Sequence, residues 1–242
     1  MLTENKHRFK IFVDFDGTIT TQDVGEQLFL RYTDADKARE IIKHWIDGDI
    51  NSRQTWESLC DLLPPLERDE LNAFIDGMEI DATFPDFVNF CEENGHELFV
   101  LSDGLDYYIK RILARYGLAD LKVYSNVAEF VDNKIVPRFP YTDEECDRCG
   151  NCKRNHVIMN SGDDEITVYI GDGYSDTCPA QFTDFIFAKK SLLKFCEVNR
   201  ISYYPFSDFS DVRRRLEELS RRKRIRKRHQ AQLNRRAVYL QG

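Results

Sequence analysis

Hydrophobic positions along the chain follow two alternating rhythms. Short apolar runs occupy Phe9–Phe15, Glu97–Leu101, Leu121–Ser125, Ile166–Ile170 and Asp184–Ala188, each rich in Val, Ile, Phe or Tyr, and predict buried strands. Between most of them the spacing changes to that of a helix. Leu105, Tyr108, Ile109, Ile112, Leu113 and Tyr116 share one helical face, and Gly117 stands where a helix ends. Strand-helix alternation predicts an α/β fold, a mostly parallel sheet with helices on both faces. Such sheets bind ligands at the carboxyl ends of their strands, so the chemistry is expected there.

Residues 22–85 break the alternation. Helical patterns at Ala35–Trp45, Thr55–Leu63 and Glu67–Met78, punctuated by Gly48, Pro64-Pro65 and Gly77, predict a small helical cap inserted after the first strand, with Trp45 and Trp56 packing its bundle. The expected division is a core of 1–21 and 86–210, a cap of 22–85, and a C-terminal helix with a basic tail over 211–242. Asp132-Asn133 between Phe130-Val131 and Ile135-Val136 predicts a hairpin turn. Phe206–Leu219 predicts the last core helix, capped by Ser207 or Ser210.

Charge is distributed unevenly. The net charge of −8 over 242 residues combines +9 on residues 211–242 with −17 on the rest. An acidic body repels phosphate backbones, so nucleic acid is not an expected partner. The run Arg221–Arg228 suits either an RNA or membrane contact or a solvated extension paired with the acidic body, and the second is the preferred reading. No apolar run approaches the ~18 residues that span a bilayer. The first residues have no apolar leader, and seven cysteines without one argue against a disulfide framework. A soluble, cytoplasmic protein is expected.

The strand ends carry the candidate chemistry. The first ends in Asp14-Phe15-Asp16-Gly17-Thr18, and carboxylates two apart share a strand face. Two such carboxylates repel unless a cation lies between them or one is protonated. A second strand leads to Ser102-Asp103-Gly104 and a helix N-terminus, a natural anion site, and another to Gly171-Asp172-Gly173-Tyr174-Ser175-Asp176. Acids, a hydroxyl and amides together suit Mg²⁺ shared with a phosphate group.

Asp14-x-Asp16-Gly17-Thr18, Ser102, Lys153 and Gly171-Asp172-Gly173-x-x-Asp176 resemble, in order, the four motifs of the haloacid dehalogenase superfamily. The 22–85 insertion is similar to the helical cap of its phosphoserine-phosphatase-like members. The resemblance implies a Rossmann-like core and a Mg²⁺-dependent phosphatase acting on a small phosphorylated metabolite. It implies Asp14 as nucleophile, Asp16 as general acid and base, and Lys153 balancing charge. Ser102, Asp103, Gly104 and Thr18 would contact phosphate or substrate. The metal would rest on Asp14, the Asp16 carbonyl and Asp172, with Asp176 supporting. A phosphomutase is the alternative within enzymes, and a tail-mediated RNA or membrane binder the alternative outside them.

Cys149-Gly150-Asn151-Cys152-Lys153 and Asp176-Thr177-Cys178-Pro179 resemble two branches. One is the methionine-salvage branch, whose substrate is a hydroxy-keto-methylthiopentenyl phosphate; the other acts on phosphoethanolamine or phosphocholine. Phosphoserine is a further candidate substrate. Asp103 replaces a glycine expected in the salvage branch, and Asp103 with Asp23 would suit a cationic head group. Cys146, Cys149, Cys152 and His156 have donors suited to Zn²⁺, although a metal-free loop is the preferred reading. His7, His44, His96 and His229 lie outside any motif and are expected at the surface.

Overall fold

A computed structural model describes residues 7–239. The chain forms two compact units: one comprises residues up to 14, 81–100 and 153 onward, the other 15–80 and 101–152. The second unit thus joins the inserted helices to the segment 101–152.

In the first unit, β1 (Phe9–Asp14) and β5 (Ile166–Gly171) pair in parallel from Phe9↔Ile166 to Val13↔Ile170. β6 (Phe185–Ala188) follows in parallel, then the short β7 (Tyr204–Pro205). All six residues of β5 and five of β1 are buried, the mark of strands covered on both faces. Phe12 and Phe99 stack 5.2 Å apart, and each ring so buried contributes about 1.5–3 kcal/mol. The helices of this unit are α5 (Phe84–Glu93), α7 (Lys153–Met159), α8 (Thr177–Ala180), α9 (Lys190–Val198), α10 (Phe209–Ser220) and α11 (His229–Tyr239). β2 (Glu97–Leu105) contributes to both units, and the second unit adds β3 (Lys122–Val131) and β4 (Lys134–Arg138). The strand order is β4-β3-β2-β1-β5-β6-β7. β3 and β4 form the predicted hairpin, with Asp132 and Asn133 at φ 49° and 60°, a conformation that Asn and Asp tolerate better than most residues.

The second unit also contains α1 (Val24–Tyr32), α2 (Ala35–Asp47), α3 (Ser52–Leu62), α4 (Arg68–Asp76) and α6 (Asp106–Arg115). Side chains define their starts. Asp23 accepts the Glu26 N–H, Asp34 those of Asp36 and Lys37, and Asn51 exchanges bonds with Gln54 in a capping box. α2 stops at Gly48, whose φ of 85° suits glycine. Trp56 packs edge-on against Phe29, ring centroids 5.5 Å apart.

Two expectations are corrected. α10 is capped by Asp208, not by a serine, because its carboxylate accepts the N–H groups of Ser210 and Asp211 at 2.9 and 3.1 Å. His96 is buried rather than at the surface. Its Nδ1 accepts the Phe9 N–H, and its ring meets Phe9 and Phe90 edge-on.

The tail residues pair with the chain's own first unit. Arg235 on α11 is buried, donating to Thr167 Oγ1 and the Phe182 carbonyl and pairing with Asp184 at 3.5 Å. Asp184 in turn accepts both the N–H and the hydroxyl of Thr167. Arg228 and Lys227 donate to the carbonyls of Ala180 and Asp163. Arg221–Arg224, between α10 and α11, remain exposed. No helix among the described residues is long and apolar enough to cross a membrane.

Candidate active site

The first unit brings together Asp14, Lys153, Asp172 and Asp176. Asp14 ends β1, Asp172 follows β5, Asp176 closes the turn after it, and Lys153 opens α7. All four are buried. Lys153 Nζ lies 2.5 Å from Asp14 Oδ1 and 2.8 Å from Asp176 Oδ1, and it contacts Ser175 Oγ at 3.1 Å. Asp176 also accepts the Tyr169 hydroxyl at 2.7 Å and the N–H groups of Asp172 and Gly173 at 3.0 and 2.9 Å. Gly171 makes that return possible, since a Cβ there would sit 2.5 Å from the Asp176 carboxylate. Lys190 Nζ reaches Asp172 Oδ2 at 2.8 Å.

The electrostatics are those of crowded, dry charge. Burial, then repulsion from Asp176, holds Asp14 well above the usual carboxylate range, with Lys153 opposing. Burial works against the Lys153 ammonium, but Asp14 and Asp176 outweigh it and hold the group above its ordinary value. Carboxylate oxygens of Asp14, Asp172 and Asp176 lie within 4.8 Å of one another. Three buried acids facing Lys153 and the more exposed Lys190 leave an excess of negative charge, and an all-oxygen donor set of this kind fits a hard divalent cation.

The second unit holds Asp16, Ser102, Gly104 and Thr18. Gly17, at φ 75°, turns the chain off β1, and Thr18 is buried in that turn. Asp16 Oδ2 accepts the hydroxyls of Ser102 and Tyr108 at 3.0 and 2.9 Å, and Oδ1 accepts the Val24 N–H at 3.1 Å. The Gly104 N–H donates to Ser102 Oγ at 2.9 Å. Asp103 is engaged in bracing. It accepts from the Ser52 hydroxyl, from Asn151 N–H at 2.9 Å and from Asn126 Nδ2 at 3.3 Å. Asp23 caps α1. Both members of the pair expected to meet a cationic head group thus also take part in local hydrogen bonds.

Tyr108, Tyr169 and Lys190 were not anticipated at these strand ends. Tyr108 stands within the apolar series of α6 and Tyr169 within the buried run of β5, so each reads as core. Lys190 sits in a surface-like Lys189-Lys190 pair.

The minority zinc reading finds no support among the described residues. The acid, cysteine and histidine side chains that gather tightly enough for a metal, among the described residues, are Asp14, Asp172 and Asp176; Cys146, Cys149, Cys152 and His156 do not. His156 has a different consequence. It is buried, and burial pushes its imidazole down from 6.5 to about 4. Between those values the unfolded chain binds more protons, so this contribution is complete above pH ~6.5 and is lost as pH falls toward 4. It amounts to about 3 kcal/mol at most. Urea unfolding at pH 7 and 4.5 should show the wild type losing about 2 kcal/mol more than His156→Gln; equal losses would refute the assignment.

Carboxylates at the ends of β1 and β5 beside a buried lysine that opens α7 point to a class of hydrolase. The model for haloacid dehalogenase-like hydrolases matches residues 11–181, and the chain belongs to that family. It is 30% identical over 213 residues to a protein of Bacillus cereus (strain B4264) named 2-hydroxy-3-keto-5-methylthiopentenyl-1-phosphate phosphatase, covering 87% of this chain and 96% of that one. A Bacillus anthracis protein of the same name is 31% identical over 217 residues, again covering 87% and 96%. Among solved structures, a phosphoserine phosphatase captured as a phospho-aspartyl intermediate analogue superposes with a TM-score of 0.67 at 19% identity, covering 88% of this chain and 99% of that one. A phosphoserine phosphatase from T. onnurineus gives 0.65 at 14%, covering 90% and 98%. These two likenesses establish the fold.

Proposed function

We propose that this chain is a cytoplasmic phosphatase that hydrolyses 2-hydroxy-3-keto-5-methylthiopentenyl-1-phosphate through an aspartyl-phosphate. The substrate is inferred from the named Bacillus relatives, and the chemistry rests on the buried Asp14–Lys153–Asp176 constellation. Asp14 attacks phosphorus, which splits hydrolysis into two displacements. Asp16 protonates the leaving oxygen and then takes a proton from the attacking water. Ser102, Gly104 and Thr18 hold phosphoryl oxygens, Lys153 neutralises charge shared by Asp14 and the phosphoryl group, and Asp176 fixes Lys153. Mg²⁺, held by Asp14, Asp172 and the Asp16 carbonyl, would supply a Lewis acid for the phosphoryl oxygens. The salvage substrate is preferred to phosphoethanolamine and phosphocholine because the Bacillus relatives are named for it.

Phosphate release should be measured on the salvage intermediate, phosphoserine, phosphoethanolamine and phosphocholine, with EDTA and with added Mg²⁺. The expected result is a kcat/KM for the salvage intermediate at least about tenfold above the others, lost in EDTA and restored by Mg²⁺. Preference for another member transfers the substrate assignment to that member. Phosphoryl return to substrate without phosphate release would instead identify a mutase.

A further inference from the structure

Both oxygens of the Asp16 carboxylate are held by atoms of the second unit. Ser102 Oγ and Tyr108 Oη donate to Oδ2, and Val24 N–H to Oδ1. Ser102 belongs to the sequence pattern already described; Tyr108 does not. Tyr108 is 3% exposed on the inner face of α6. Its hydroxyl donates its single proton to Asp16 Oδ2 at 2.9 Å. Burial, then the charges of Asp16 and Asp23, push the phenol well above its usual range and keep it a neutral donor. The space it uses is reserved by Gly104, four residues earlier at the end of β2. A Cβ at 104 would lie 1.7 Å from Tyr108 Oη and 2.7 Å from Asp16 Oδ2. A side chain at 104 and the Tyr108–Asp16 bond are therefore mutually exclusive.

We infer that Tyr108 is a positioning residue for proton transfer, orienting the Asp16 carboxylate toward the leaving oxygen of the substrate; this rests on the phosphatase reading above. Tyr108 donates to Oδ2 whether Ser102 stays on that oxygen or turns to a phosphoryl oxygen, so the transferable proton is assigned to Oδ1. As the bond from phosphorus to the leaving oxygen breaks, that proton passes from Oδ1 to the oxygen. When water attacks the aspartyl-phosphate, Oδ1 takes a proton back. Removing the Tyr108 hydroxyl lets the carboxylate rotate and lose this alignment, while Phe fills the same volume.

The discriminating measurement is kcat/KM on two esters, since it reports steps up to release of the leaving group. One is the alkyl ester of the panel turned over fastest, phosphoserine, phosphoethanolamine or phosphocholine, whose leaving alkoxide is far more basic than p-nitrophenolate. The other is p-nitrophenyl phosphate, whose leaving group departs without a proton. Tyr108→Phe should lower kcat/KM for the first by about tenfold, the scale of a lost hydrogen bond to a charged group. It should leave the aryl ester within about twofold. The ratio of the two on one sample is independent of the folded fraction, so partial misfolding cannot mimic the result. Equal losses on both esters, or no loss on either, overturn the positioning role while leaving the phosphatase reading intact. A wild type without turnover on any ester overturns the phosphatase reading, and this inference with it.

Discussion

Asp14→Asn is expected to abolish phosphate release, by at least about 10³-fold, on every ester the wild type hydrolyses. The amide keeps the shape of the carboxylate and an oxygen facing Lys153, which lies 2.5 Å from Asp14 Oδ1. It cannot form the acyl-phosphate bond, because its nitrogen replaces the attacking oxygen and the remaining oxygen carries no full charge. Packing is undisturbed, so the melting temperature should stay close to that of the wild type. A binding role for Asp14 would instead raise KM and spare kcat. Turnover surviving in Asp14→Asn at more than about one percent would exclude Asp14 as the nucleophile.

The second large effect is on stability. Lys153→Met should destabilise the protein by about 3–5 kcal/mol and remove activity. Methionine fills similar volume, so the loss is electrostatic. Asp14 and Asp176 would face each other, buried, without the ammonium that lies 2.5 and 2.8 Å from them. At about 2–4 °C per kcal/mol for a chain of this size, the midpoint should drop by about 10 °C. Mg²⁺ should stabilise this variant more than the wild type, because a cation neutralises the same oxygens. Thermal scans with EDTA and with Mg²⁺ test both statements. A midpoint unchanged in EDTA would mean that Lys153 does not balance these acids.

Much of this was legible because the physics was local. β1 and β5 are continuous apolar runs, as strands covered on both faces must be, and the acids at their ends stand out against them. The hairpin was announced by Asp132-Asn133. Other features depend on contacts that no spacing encodes. The bracing contacts of Asp103 could not be read from its place beside Ser102, since neighbours along a strand point to opposite faces. Ser102 and Gly104 share one face, and Asp103 points to the other, toward Ser52, Asn126 and Asn151. Tyr108 was concealed by the same helical periodicity that revealed α6, since an aromatic ring in an apolar series gives no sign of where its hydroxyl points. α11 was masked by charge, its one buried cation, Arg235, being indistinguishable in sequence from its exposed neighbours.

The clasp of Arg235 on Asp184 has a kinetic consequence. The pair spans 51 residues, and β1 finds its partner β5 across an even longer stretch, from Phe9 to Ile166. A chain synthesised from its N-terminus therefore displays Ile11, Phe12 and Val13 long before the strand that covers them exists. Even after β5 and β6 have paired, the Asp184 carboxylate waits for residue 235. The second unit, whose hairpin closes over two residues, can organise early. The unit that carries Asp14 and Lys153 is thus closed over Thr167 and Asp184 only once residue 235 has been synthesised.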